Sequence, residues 1–379
     1  MYLHEYQSKQ AFARHGIPVP AGKIATTEQE AFAIASEFGV PVVVNAQALA
    51  SQRVFRLART PQEAELVARD IFAQAIQDIR IHTILIEPTA DIVAEYFLGL
   101  YADRGSDLLM VASTEGGGEI SQIERDQPQT LARETINPML GVLDFQARNL
   151  ANGINLPRES WKAFIQLVCN FYRCCVDCDA VRAEINPLGL TRGGELIALG
   201  GKLEIDDNAL FRQRELAAIR DLQAEHESTV LARTARISYV HLNGKIGLIV
   251  SGAGLGMATM DLLARQHAEA ASFLDLGSHI QRDKVSVALR LILPDVHALL
   301  INIFADRAPC DEIAQELLAA IHEIKPIVPL VIRLAGEHAE EGRAILSAAS
   351  GVDLVFAPTT TEAVRRAAEK GMAHVDPGR

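Results

Sequence analysis

The chain has 379 residues, of which 49% are apolar and 22% charged, and its formal net charge is −12. That length exceeds one typical core and points to two or three domains. The acidic balance works against a nucleic-acid backbone or an anionic membrane surface as the main partner. Apolar stretches such as Ala298 to Phe304 fall far short of the roughly 20 residues that span a bilayer. His4, Glu5 and Lys9 interrupt any leader-like pattern at the start, so the expectation is a cytoplasmic protein.

Residues 3–14 read as a helix stopped by Gly16 and Pro18. Pro41 to Val44 is a short β-branched run with strand character. Thr60-Pro61-Gln62-Glu63 has the form of a helix start: a capping Thr, Pro in the first turn and Glu three residues after the cap. Strands are expected at 83–87, 94–101 and 108–112. Trp161, Phe164, Ile165, Val168, Tyr172 and Cys175 recur at helical spacing. Cys175 and Cys178 form a C-x-x-C, but two further zinc ligands are absent nearby, and packing of small apolar thiols is the favoured reading over a redox pair or metal site. Segments 180–185 and 195–199, joined by a turn at 191–194, read as a hairpin. This half mixes helices with mostly antiparallel strands.

Residues 207–236 are polar and rich in Arg and Glu, and read as a helical connection. Beyond them the rhythm changes. Strands at 246–250, 299–304, 330–334 and 354–356 alternate with helices near 257–267, 281–293, 311–324, 338–349 and 361–373, the pattern of a parallel sheet covered on both faces. Ligands of such sheets bind beyond the carboxyl ends of the strands.

Four groups of residues have chemical potential. Ser251-Gly252-Ala253-Gly254-Leu255-Gly256 follows a strand and opens a helix, which fits either a phosphate or carboxylate cradle or a tight turn that requires glycine. The spacing is not G-x-G-x-x-G, because position 257 is Met. Glu184 and Asn186 flank Ile185 on one strand and share a face, which suits a hard cation such as Mg²⁺ or ordinary polar alternation. Glu87 and Glu95 bracket a turn and fit either contacts to a nucleotide ribose or base, or solvated carboxylates. Ser113 to Gly118 ends a strand in a flexible polar loop.

The stretches LHEYQSKQAFARHGIPVP, ASTEGG, EINPL, GKL, DDNALFR, GAGLGMATMD, SFLDLG, NIF and the pair Cys310-Asp311 resemble, in order and along nearly the whole chain, the β subunit of succinyl-CoA synthetase, with related segments in malate–CoA ligase and ATP-citrate lyase. The resemblance implies an α/β and α+β multidomain fold: an ATP-grasp region of two lobes over 1–206, a helical connection over 207–236 and a flavodoxin-like CoA-ligase domain over 237–379. It implies a hetero-oligomer with an α-type subunit that supplies a phosphorylated histidine, with ATP and Mg²⁺ as cofactors, CoA as co-substrate and a small dicarboxylic acid as substrate. Carried over residue by residue, it implies nucleotide contacts at Glu87 and Glu95, a Mg²⁺ ligand at Asn186, a catalytic carboxylate beside the phosphohistidine at Glu184, and acid or anion contacts at Ser251, Gly252, Gly254, Asp306 and Arg307.

The chain departs from that family pattern at defined places. Asn45 stands where the family has a Lys, and residues 46–52 run to Arg53-Val54-Phe55 without the family's glycine run. Gly200 replaces a second Mg²⁺ ligand, an Asp; Ser251 replaces an Asn; Ala305-Asp306-Arg307 replaces Gly-Gly-Ile at the acid site. Phosphoryl transfer depends on cations and oriented donors that neutralise developing charge. The expectation is therefore a ligase β subunit with impaired or altered catalysis. The alternatives are a non-catalytic β-like subunit that stabilises or regulates an α-type partner, and a CoA- or phosphate-binding protein using the 251–256 turn.

Overall fold

The structure is a computed structural model that describes residues 1–39, 41–49, 54–76, 79–102, 107–118 and 120–373. The chain divides into two compact units, Met1–Glu225 and His226–Arg379.

The first unit opens with α1 (Glu5–Arg14), β1 (Lys23–Ala25), α2 (Glu28–Phe38), β2 (Val42–Ala46), β3 (Phe55–Ala58), α3 (Pro61–Phe72), the short pair β4 (Ala75–Ile76) and β5 (Ile79–Arg80), and β6 (Ile84–Pro88). Thr60 caps α3 by accepting the Glu63 amide, as its sequence predicts. An antiparallel sheet of order β1-β6-β2-β3 buries Val42, Val44, Ile84 and Ile86 against Ala31, Ala35, Ala64 and Ala68 of the two helices. The opposite face of β2 and β6 carries Val43, Asn45, Leu85 and Glu87, with Asn45 across from Leu85 and Val43 across from Glu87.

The unit continues with β7 (Ile92–Ala102), β8 (Leu108–Ser113), α4 (Ile120–Asp126), β9 (Leu131–Ile136), α5 (Asp144–Gly153), α6 (Trp161–Asp177), β10 (Ala180–Thr191), β11 (Leu196–Ala198), β12 (Gly201–Ile205) and α7 (Arg214–Ala218). The sheet order is β11-β10-β7-β8-β9, and β12 also pairs with β10. One face buries Leu98, Leu100, Met110, Ala183 and Ile185 against Phe164, Phe171 and Cys175. The cysteines of α6 therefore belong to this core, and burial pushes the Cys175 thiol well above its usual range. The expected hairpin at 191–194 is present as β10–β11. The first half of β10 pairs instead with β12, and the cis peptide Asn186–Pro187 lies where one partner gives way to the other.

The second unit comprises α8 (Glu227–Thr234), β13 (Ser238–His241), β14 (Ile246–Val250), α9 (Ala253–Arg265), β15 (Ser272–Asp275), α10 (Arg282–Ile292), β16 (Ala298–Ala305), α11 (Cys310–Ile324), β17 (Leu330–Gly336), α12 (Ala339–Leu346), β18 (Leu354–Phe356) and α13 (Thr360–Ala373). Its sheet has the order β13-β15-β14-β16-β17-β18, parallel except for β13. Hydrophobic clusters lie on both faces, as the near-continuous apolar runs of β14 and β16 require. Strands β13 and β15 escape sequence reading because each is four residues long and partly polar. Helix α9 begins four residues before the expected start, directly after Gly252, whose φ of 108° turns the chain from strand to helix.

Candidate functional site

Strand β10 and its neighbours form an open polar face opposite the core of the central sheet. Glu184 is buried, and its Oε1 collects three donors: Arg182 Nε at 2.7 Å, Arg182 Nη2 at 2.5 Å and Tyr101 Oη at 2.9 Å. Arg182 precedes Glu184 by two residues and so shares its face, while Tyr101 stands across from Arg182 on β7. The guanidinium lies 5.6 Å from the Tyr101 ring centroid. Burial, and then the Glu184 charge, push the Tyr101 phenol far above its usual range, so it stays a donor. Burial works against the charge on Arg182, but Glu184 outweighs it and the net shift is upward. Lys202 of β12 is directly across from Glu184, and its ammonium sits 5.7 Å from the Tyr2 ring centroid.

Asn186, next along the same face, is held by the loop after β8. Its Oδ1 accepts the Gly117 amide at 2.6 Å and its Nδ2 donates to the Gly118 carbonyl at 2.8 Å. The Asn186 amide donates to the Gly200 carbonyl at 3.1 Å, so position 200 is its immediate neighbour. Glu95 is exposed on β7, across from Gly189, and Gly116 packs against its backbone. Among the described residues no three His, Cys, Asp or Glu side chains are grouped so as to hold a metal ion.

Glu87 belongs to a different sheet. It is buried and pairs with Lys9 of α1 through both oxygens, at 2.8 and 2.7 Å, and Lys9 also reaches Glu5 at 2.9 Å. A cavity of about 520 Å³ opens beside this pair, bordered by Tyr6, Gly22, Lys23 and Leu85. The replacement Asn45 is buried on the same sheet face. Residues 50–52 of the segment that departs from the family's glycine run, and Arg53 after it, lie outside the described residues.

In the second unit the chain order places the switch point between β14 and β16. The Ser251 hydroxyl there donates to the Phe304 carbonyl at 3.1 Å and accepts the Phe304 amide at 3.0 Å, which ties the two strand ends together. The Gly252 amide donates to Asp275 Oδ1 at 2.6 Å, and the same oxygen accepts the Gly277 amide at 2.8 Å. A protein carboxylate thus occupies part of the glycine turn expected to cradle an anion. Gly254, in the first turn of α9, is exposed with open space around it. Asp306 and Arg307 are exposed in the bend after β16, and neither forms an ion pair among the described residues.

Sequence reading brought Glu184 and Asn186 together correctly as strand neighbours but overlooked Arg182, Tyr101, Lys202 and Lys9. The signal for Arg182 was present in the period of two along β10. Tyr101 and Lys202 reach the face only through strand pairing.

Two family models match the chain: an ATP-grasp domain over residues 2–190 and a CoA-ligase over residues 249–368. A succinate–CoA ligase [ADP-forming] subunit β from Chloroflexus aurantiacus is 42% identical over 375 residues, covering 97% of this chain and 98% of that protein. The corresponding subunit of Myxococcus xanthus is 38% identical over 390 residues, covering 99% of this chain and 100% of its own length. The solved structure of ATP citrate lyase from Methanothrix soehngenii, in complex with citrate and coenzyme A, shares the fold, with a TM-score of 0.68 at 17% identity over 97% of this chain and 99% of that one. The chain belongs to the family of ADP-forming succinate–CoA ligase β subunits.

Proposed function

We propose that this chain is the β-type subunit of an acid–CoA ligase in which Mg²⁺-assisted phosphoryl transfer from ATP is impaired. The partner is an α-type subunit that carries the phosphorylated histidine, and the substrates are CoA and a small dicarboxylic acid. The carrying observation is the pairing of Asn186 with Gly200: where a second oxygen ligand would stand beside Asn186, there is no side chain. The residues present do not fit Mg²⁺. A hard cation favours carboxylate oxygens, yet the near carboxylate, Glu184, is engaged by Arg182 and Tyr101, and the Asn186 amide already spans Gly117 and Gly118.

Glu87 borders the cavity beside Lys9, a setting that suits a nucleotide base or ribose, and Glu95 presents a second carboxylate near the 116–118 loop. Asp306 and Arg307 replace an apolar, glycine-rich pair with charges, which suits an acid other than succinate; Arg307 can grip a carboxylate. Loss of one oriented donor costs about 3 kcal/mol in the transition state, and here a cationic Lys and a metal carboxylate are both replaced. The non-catalytic reading is favoured by one feature: the hydrophobic clusters of both units are intact, while the replacements Gly200, Ser251, Asp306 and Arg307 lie outside them.

The test is coupled turnover with an α-type subunit of the family, comparing the chain with Gly200→Asp. The expected result is ATP-dependent acyl-CoA formation at least about a hundredfold below that of a family β subunit, rising on Gly200→Asp. Turnover equal to a family β subunit, unaffected by Gly200→Asp, would contradict the reading.

A further inference from the structure

The C-terminal end of α6 gathers three thiols in little more than one turn: Cys174, Cys175 and Cys178, all buried and all free. Cys174 and Cys178 are four residues apart, so both lie on one face of the helix, and the Cys174 thiol donates to the Cys178 sulfur. The two are not equivalent to the other cysteines. Burial pushes the thiols of Cys169, Cys175 and Cys310 up. Cys178 moves down: the hydrogen bond from Cys174 foremost, with the His15 ring nearby, outweighs its burial. Thiolate character thus concentrates on Cys178, which is also where the helix ends. The Cys178 amide closes α6 by donating to the Cys174 carbonyl at 3.0 Å, and Asp179 then turns the chain into β10 with a φ of 54°.

We propose that Cys174 and Cys178 form a peroxide-sensitive dithiol, with Cys178 the attacking sulfur and Cys174 the resolving one, whose disulfide opens the last turn of α6. A thiolate poised beside a resolving thiol is the arrangement that sets redox-active cysteines apart from packing ones. The geometry is close to what the bond needs. Cα atoms four residues apart in a helix are about 6 Å from one another, within the roughly 4.4–6.8 Å that a disulfide spans. The Cβ atoms, about 5–6 Å apart in a regular helix, must close to about 4 Å. Cys178 caps the helix, so its shift gives up the backbone bond from Cys178 to Cys174 and leaves the earlier turns in place. Cys175 completes a C-x-x-C with Cys178 but shares no thiol hydrogen bond with it.

Cys178 is 7% exposed and stands at a helix end, where fraying admits a small neutral oxidant, hydrogen peroxide. The Cys178 thiolate attacks one peroxide oxygen and the O–O bond breaks. The hydroxide that leaves takes up the proton Cys178 had released. The Cys174 sulfur then attacks the sulfenic sulfur, the S–O bond breaks, and the hydroxyl departs as water with the Cys174 proton. The two sulfurs together lose two electrons, and one peroxide becomes two waters. The proposal does not depend on the ligase reading.

The test is treatment of the full-length chain with equimolar hydrogen peroxide, followed by thiol counting in denaturant and peptide mass mapping. The expected result is loss of two of the five thiols and a Cys174–Cys178 disulfide lighter by two hydrogens. Hydrogen exchange at the Cys178 and Asp179 amides should quicken, and dithiothreitol should reverse every change. Cys174→Ala should stop at a Cys178 sulfenic acid that dimedone traps. Cys178→Ser should keep all its remaining thiols, and Cys175→Ala should form the same disulfide as the parent chain. Thermal melts establish that each variant is folded, and mapping of the parent chain decides the matter should a variant not fold. Retention of all five thiols, a disulfide to Cys175 instead, or unchanged exchange at the two amides in the oxidised chain would overturn the proposal.

Discussion

At the scale of single residues, the polar face of β10 is set by the partners its side chains already engage. Glu184 is bound by Arg182 and Tyr101, and the Asn186 side chain by Gly117 and Gly118, with Gly200 beside its backbone. Glu87 and Lys9 form a buried pair with side chains 7% and 5% exposed. Removing one partner of such a pair leaves the other charge without compensation, at a cost of about 3–5 kcal/mol, whereas replacing both with apolar groups is often near neutral. Lys9→Met removes the cation shared by Glu87 and Glu5 and is expected to lower the unfolding free energy of the first unit by about that amount, and Lys9→Met with Glu87→Leu to recover part of it. Urea denaturation of the two variants checks this; a double variant no more stable than Lys9→Met alone would contradict it. Part of this site was legible from sequence. Glu184 and Asn186 follow from alternation along one strand, but the Lys9–Glu87 contact joins residues 78 apart, and only the packing of α1 on the first sheet reveals it.

At the scale of elements, two junctions carry the geometry. Asp179 turns the chain from α6 into β10 with a φ of 54°, and its carboxylate is bound by Arg212 and Gln213. Arg212 foremost, then Gln213, hold its carboxyl below the usual range. The folded state thus binds the Asp179 proton more weakly than the unfolded state does. Its contribution to stability is complete above the ordinary carboxyl value of about 3.9 and is lost as pH falls through the lower folded value. Asp179→Asn keeps a residue tolerant of positive φ, and is expected to flatten the loss of stability on acidification. Urea midpoints at neutral pH and at pH about 3 measure it; an unchanged acid slope would contradict the assignment. Gly342 lets α12 approach the first turn of α11, since a Cβ there would lie 2.6 Å from the Cys310 carbonyl oxygen and 2.7 Å from Leu334 Cδ2. The backbone cannot yield, so Gly342→Ala is expected to destabilise the second unit by about 1–3 kcal/mol, visible as a lowered melting temperature. Long amphipathic helices and long apolar strands were readable in the sequence for the same reason that they are stable: each repeats its pattern over several turns or pleats. Strands β13 and β15 repeat too little to show, and β12 declares itself only by pairing with β10.

At the scale of the whole molecule, family membership rests on matches that run through both units, while the positions that depart from the expected pattern, Asn45, Gly200, Ser251 and Ala305 to Arg307, are few and local. No helix among the described residues is long and apolar enough to cross a membrane. Each unit holds two hydrophobic clusters, and the helical spacing of Trp161, Phe164, Val168 and Cys175 marked part of one of them in the sequence. The chemistry was less legible, because only strand pairing sets Gly200 beside Asn186. The central claim is that the metal-dependent nucleotide chemistry of the family is impaired in this chain. The most direct measurement is calorimetric titration of ATP into the full-length chain, once with Mg²⁺ and once with EDTA. The account predicts that Mg²⁺ leaves nucleotide affinity unchanged; saturable binding that appears only with Mg²⁺ would contradict it.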